Sequence, residues 1–144
     1  VRAARRVLPK EMPLIMRISA IEYAEGGYGL EESIRLARRY KEAGVDIFHV
    51  SSGGESTRGP AHAGAGYMVE LAAAYKAALD VPVIAVGRLE NPLLADQVIR
   101  EGKADLVAVG RGMLRNPYWA NEASIALGGK PLTPKAYDRA YDLE

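Results

Sequence analysis

Four short apolar runs, alternating with stretches of helical periodicity, constrain this chain more than any other feature. The runs are Leu14-Ile15-Met16-Arg17-Ile18-Ser19, Ile47-Phe48-His49-Val50-Ser51, Val83-Ile84-Ala85-Val86-Gly87 and Leu106-Val107-Ala108-Val109-Gly110. Each has strand length and is rich in β-branched or aliphatic residues. The last two are apolar on both faces, which predicts parallel strands covered by helices on one side and by a core on the other. Between the runs, Leu30, Ile34, Ala37 and Tyr40 recur at three- and four-residue spacing, with Arg35, Arg38, Arg39 and Lys41 around the other face. Gly44 supplies the stop. A second helix is expected from Tyr67 to Leu79. Asn91-Pro92 reads as an N-cap followed by proline at the first helical position, with Gly102 ending that helix. Asn116-Pro117 repeats the device before a helix from Tyr118 to Leu127. The tail from Pro131 to Glu144 carries turn residues and then a short helix around Lys135 to Tyr141.

This alternation implies a parallel sheet with right-handed crossovers. It also contains an echo. Glu42-Ala43-Gly44-Val45-Asp46 runs into the second strand and Glu101-Gly102-Lys103-Ala104-Asp105 into the fourth. In both, a helix ends at glycine and an aspartate precedes the strand. Two architectures fit: an open doubly wound sheet, or part of a (β/α)8 barrel. The polar residues favour the barrel. All four strands turn polar or glycine-rich at the same end, as Arg17-Ile18-Ser19, Ser51-Ser52-Gly53, Gly87-Arg88 and Gly110-Arg111. Barrels place their active sites at that end of the strands. Four strands are half a barrel, and a full one takes about 250 residues. The expected fold is therefore α/β, a half-barrel of four βα units of the TIM type.

Composition narrows the function. Nineteen Lys and Arg against eighteen Asp and Glu leave a net charge of +1, which argues against nucleic acid or an anionic membrane as partner. Without cysteine there are no disulfides, thiolate metal sites or cysteine nucleophiles, and two histidines make the usual metal clusters unlikely partners for chemistry. No apolar run approaches the roughly 20 residues of a membrane span, and the start has no signal-peptide pattern, so a cytoplasmic location is expected. The missing initiator Met is read as a chain that begins mid-protein.

Two strand ends give the strongest site signal: Val86-Gly87-Arg88 and Val109-Gly110-Arg111-Gly112. Glycine there lets a phosphate approach the backbone, and arginine adds a charge-assisted contact. Barrels commonly bind phosphate after their last two strands. The competing reading is tight turns beside solvated arginines. Arg17 inside its strand must face a cavity or a ligand, because an unpaired buried charge is too costly; the alternative is an internal salt bridge. Its guanidinium suits a carboxylate, a phosphate or an electron-rich ring. Ser51 and Ser52 can donate to a ligand, but no nucleophile elbow surrounds them. His49 reads as a satisfied interior residue and His62 as solvated loop. Tyr23, Tyr28 and Tyr67 either wall a planar ligand or anchor their loops, and Trp119 reads as packing.

Taken together, the Arg17-Ile18-Ser19 strand, Gly44-Val45-Asp46 leading to Val50-Ser51-Ser52-Gly53, the run from Val83 to Gly87, and Ala104 to Pro117 with its Gly-Arg-x-x-Leu-Arg-Asn-Pro ending resemble the old yellow enzyme family. The likeness is strongest to its bacterial NADPH dehydrogenases, or ene-reductases. The resemblance implies an FMN-binding barrel of which residues 1–144 are the C-terminal half, strands 5 to 8, with 130–144 as the tail. It implies that Arg17 stabilises charge on the reduced flavin, and that Ser51, Ser52 and Gly53 lie by the flavin and its ribityl chain. Val86, Gly87, Gly110 and Arg111 would hold the phosphate. Arg139, in Tyr137-Asp138-Arg139, matches a motif by which some members reach into a neighbouring subunit. The implied reaction takes hydride from NADPH through FMN to an activated alkene. The family's substrate-anchoring histidines and proton-donating tyrosine belong to the other half and have no counterpart here. Expected partners are therefore the alkene and either a complementary N-terminal half-barrel or a second copy. The alternative function is an inactive half-barrel that self-associates and at most binds FMN.

Overall fold

The computed structural model describes residues 1–54 and 58–141. Four strands, β1 (Ile15–Ser19), β2 (Ile47–Ser51), β3 (Val83–Ala85) and β4 (Leu106–Val107), form one sheet in chain order, every pair parallel. Helices α2 (Leu30–Glu42), α3 (Val69–Leu79), α4 (Pro92–Arg100) and α6 (Trp119–Ala126) follow them in turn. This is half of an α/β barrel. The last three residues of the expected tail lie outside the described residues, and 3₁₀ helix spans Lys135–Tyr141 before them.

The helices cover one face of the sheet only. Phe48, Val50, Val83 and Ala85 point into that layer and are fully buried, together with Ala37, Ala72 and Tyr75. The Tyr75 ring meets Phe48 edge-on, centroids 6.1 Å apart. The other face carries Ile15, Arg17, Ile47, His49, Ile84 and Leu106, and among the described residues no second layer opposes it. Ile15 and Leu106, on the two edge strands, each remain 50% exposed. Among the described residues the expected core on the second side is thus absent. An inner barrel face is buried by side chains from the strands across the barrel, and β1 and β4 here are sheet edges rather than neighbours.

The echo between units is a repeated structural device. Gly44 and Gly102 adopt left-handed conformations (φ +108° and +70°) and close α2 and α4. The amides of Val45 and Lys103 then bond back to the carbonyls of Tyr40 and Val98, both at 3.1 Å. The Asp46 carboxylate accepts the Leu14 amide at 2.7 Å, and Asp105 accepts the Val83 amide at 2.9 Å. Each aspartate therefore ties its own strand to the preceding one. Each also holds a cation, Arg5 on Asp46 and Lys76 on Asp105.

Two helices were not expected. In α1 (Arg2–Val7) no residue is buried; Arg5 docks it by donating to the Gly44 carbonyl at 3.0 and 3.2 Å and to Met12 at 2.9 Å. The single turn α5 (Arg111–Arg115) contains Gly112, whose missing side chain is required: a Cβ there would lie 2.7 Å from both Glu90 Cβ and Val109 Cγ1. The strands expected to reach Gly87 and Gly110 stop at Ala85 and Val107. Gly87 and Arg88, at φ +122° and +54°, turn the chain out of the extended region. No described helix is long and apolar enough to cross a membrane.

Candidate functional site

A cavity of about 210 Å³ opens where the four strands end. Arg17, Ser51, Val86, Gly87, Gly110 and Arg111 all line it. These residues come from four strand ends separated by as much as 94 positions in sequence (Arg17 to Arg111). Parallel pairing in chain order brings them together, because each strand delivers its C-terminal end to the same rim.

Arg17 is built into the inner face by register. β1 sets Arg17 opposite His49 and Ser19 opposite Ser51. The guanidinium Nη1 lies 2.8 Å from His49 Nε2, and Nη2 donates to Ser51 Oγ at 3.0 Å. Among the described residues no carboxylate pairs with Arg17, so the internal salt bridge is not formed. Burial first, and then the Arg17 charge, push His49 below the ordinary imidazole value. His49 is thus a half-buried partner of a cavity residue rather than a member of the core.

The two glycines differ. Gly87 is fixed by its neighbours: its carbonyl accepts the Gly66 amide at 2.7 Å, and a Cβ would meet Met68 at 3.1 Å. Gly110 has φ −90° and nothing within 4 Å of where a Cβ would stand. Its bareness leaves space on the cavity side. The arginines differ as well. Arg88 donates to the Ala63 carbonyl at 3.1 Å and stands 4.0 Å from Glu90, so its charge is engaged. Arg111 is exposed and has no ion-pair partner among the described residues.

Sequence reasoning missed Glu90 and Met68, which also line the cavity. Glu90 pairs with Arg115 at 3.3 Å, and its backbone carbonyl accepts the Trp119 indole N–H at 2.7 Å, which pins this rim to α6. Trp119 therefore holds a site wall as well as packing. The Glu90 backbone amide, then Arg115 and Arg88, hold the Glu90 carboxyl below its ordinary value. The usable signal was the Arg88-x-Glu90 spacing directly after a strand-terminal glycine. Tyr67, one of the loop aromatics, lines the cavity; Tyr23 instead donates to Ser52 Oγ at 3.2 Å. Ser52 and Gly53 do not line the cavity; the Gly53 amide donates to the Ile21 carbonyl at 2.7 Å and its carbonyl accepts Ser19 Oγ at 3.0 Å. Arg139 lies exposed on the 3₁₀ segment, outside the cavity lining.

Comparison with known proteins places this geometry. A sequence profile of the NADH:flavin oxidoreductase / NADH oxidase family matches residues 1–127. An NADPH dehydrogenase of Halalkalibacterium halodurans is 41% identical over 129 residues, 90% of this chain and 38% of that protein. An NADH oxidase of Thermoanaerobacter brockii is 38% identical over 127 residues, 85% of this chain and 20% of that protein. A solved 2-naphthoyl-CoA reductase complex superposes with a TM-score of 0.77 at 26% identity, over 89% of this chain and 20% of its own. The chain thus spans well under half the length of these relatives.

These matches imply FMN as cofactor with NAD(P)H as reductant. The residues present fit part of that molecule. A guanidinium at Arg111 without an ion-pair partner among the described residues, and the open space at Gly110, suit its phosphate. The cavity, about 210 Å³, is smaller than the ~300–1,000 Å³ of a complete small-molecule site, so its size suits one end of such a molecule rather than the whole. The open inner face with Arg17 adjoins it. With a profile match over most of its length, the chain belongs to the NADH:flavin oxidoreductase / NADH oxidase family.

Proposed function

We propose that residues 1–144 form the C-terminal half of an FMN-binding barrel, with 130–144 as its tail. The complete enzyme reduces activated alkenes with NAD(P)H in the cytoplasm. One observation carries this reading: Arg17, Ser51, Val86, Gly87, Gly110 and Arg111 share one cavity at the strand ends. Bound there, FMN would supply the hydride carrier between NAD(P)H and the alkene. Arg111 and the bare Gly110 hold the phosphate, with Val86 and Gly87 shaping the wall. Arg17 presents a permanent positive charge to the ring end, where negative charge accumulates on reduction. Ser51, Ser52 and Gly53 line the path between. The complementary half-barrel supplies the proton and the substrate anchor, and Arg139 serves a subunit contact.

Titrating the chain with FMN and following flavin fluorescence tests the reading. Arg111→Ala should weaken binding about tenfold, the low end for a charge-assisted hydrogen bond because Arg111 is exposed. Arg100→Ala, on the outer surface of α4, should leave it unchanged. Equal effects of the two would overturn the assignment.

The uncovered inner face favours a second reading, a half-barrel that pairs with another copy and is inactive. Exposed parallel edges invite such association. A monomeric mass in solution with FMN bound would exclude it.

A further inference from the structure

We propose that His49 is the positioning residue that aims Arg17 into the cavity, and that it does so only as a neutral imidazole. The inference rests on Arg17 being the cavity's ligand-facing cation. Register across β1 and β2 places the two side chains opposite each other on the open face. Arg17 Nη1 stands 2.8 Å from Nε2 and 3.3 Å from Nδ1 of the His49 ring. An Nη1 this close to both nitrogens sits against the face of the ring rather than on the in-plane lone pair of either, and a neutral aromatic face attracts a guanidinium. An imidazolium face does not. Protonating His49 therefore breaks the contact and sets two positive charges side by side.

The surroundings make this partnership decisive for Arg17. Among the described residues Arg17 is exposed on a face with no opposing layer, and its two side-chain partners are His49 and Ser51. A long side chain without those contacts would sample water instead of the cavity. From β3 the residue opposite His49 is Ile84, which is apolar, and among the described residues Arg17 on β1 is the one charged group acting on the ring. Burial and that charge both favour the neutral form.

The consequence runs against simple electrostatics. An added proton raises the positive charge near an anionic ligand, which by itself would strengthen binding. Here it releases Arg17 and weakens binding.

Two measurements on the full chain decide the matter. In ¹⁵N-histidine NMR of the ligand-free protein, Arg17→Met should raise the titration midpoint of His49. An unchanged midpoint means the pair is not formed and overturns the proposal. In FMN titrations at pH 7.5, His49→Ala should bind about threefold more weakly, while His49→Phe, which keeps an aromatic face, should stay near wild type. Between pH 7.5 and 5.5 the wild type should lose clearly more affinity than His49→Phe; protonation of the FMN phosphate is common to both. His49→Ala binding as wild type, or equal losses in wild type and His49→Phe, would refute the role. If no form binds FMN, the cofactor reading fails, and the NMR midpoint alone decides the Arg17–His49 contact.

Discussion

Replacing Gly87 and Gly110 by alanine, one at a time, separates two roles that look alike in sequence. Both glycines follow a strand and precede an arginine. At Gly87 the backbone has φ +122°, where an L-residue is strained by about 1–2 kcal/mol. The new Cβ would also stand 3.1 Å from the Met68 backbone amide and from Met68 Cβ. That segment cannot simply retreat, because the Gly66 amide is bonded to the Gly87 carbonyl at 2.7 Å. Overpacking of this kind costs ~1–3 kcal/mol. Together the two effects put Gly87→Ala at about 3 kcal/mol of destabilisation. For a chain of 144 residues that corresponds to a fall in thermal midpoint of roughly 10 °C. At Gly110 the φ of −90° suits any residue and no atom lies within 4 Å. Gly110→Ala should change stability by less than ~0.5 kcal/mol and act only on FMN affinity, by filling the space on the cavity side. Urea unfolding monitored by circular dichroism, beside flavin fluorescence titration, reads both quantities. Equal stabilities for the two variants would show that the Met68 segment does not press on Gly87 as described.

Other expectations follow from individual contacts. The bond and charge of Lys76, with the Val83 amide, hold the Asp105 carboxyl below its ordinary value. The stability it contributes is complete above the unfolded value of about 3.9 and is lost as pH falls through the lower folded one. Asp105→Asn keeps an acceptor for Val83 and should flatten that acid limb in urea midpoints measured from pH 6 to 2.5; parallel curves would refute the linkage. Among the described residues the buried Tyr75 hydroxyl has no hydrogen bond of normal geometry; the neighbouring Ser33 donates to the Leu30 carbonyl at 2.8 Å. Tyr75→Phe should be neutral or stabilising by up to about 1 kcal/mol. Burial pushes the phenol up to about 12, so the wild type alone should lose stability from this group as pH rises from 10 through that value. The Asn91 side chain accepts the amides of Leu93 at 2.9 Å and Leu94 at 3.2 Å, so Asn91→Ala should cost about 1 kcal/mol. A thermal midpoint equal to wild type would sink that reading.

What was legible in the sequence was what local periodicity and local chemistry encode. β2 has the bounds its alternation implied, and Asn91 caps α4 through its side chain. The Asp46 and Asp105 echo is a real device because the same backbone bonds recur in each unit. What stayed hidden depends on distant partners. α1 is held by one arginine reaching Gly44, which leaves no apolar stripe to read. α5 contains Gly112, whose placement follows from close approach to Glu90 and Val109 rather than from propensity. At the site, the strand-end glycines and Arg17 were visible because polar residues interrupt apolar runs. Glu90 was not, because its role comes from Arg115 and Trp119, both far along the chain. The different duties of Gly87 and Gly110 emerged only when the space beside each was known.

The order of the strands in the sheet is the order of the strands in the chain. Nothing already laid down has to be rethreaded when another unit is added at either edge. Growth by accretion is therefore open to this architecture in both directions, and each addition needs only one neighbouring strand to register against. The aspartate tether supplies that register at two of the seams, from the N-terminal side of each new strand. Such a molecule is best pictured as an arc of a ring. Register is carried locally, at each tethered seam, by the unit that brings the aspartate.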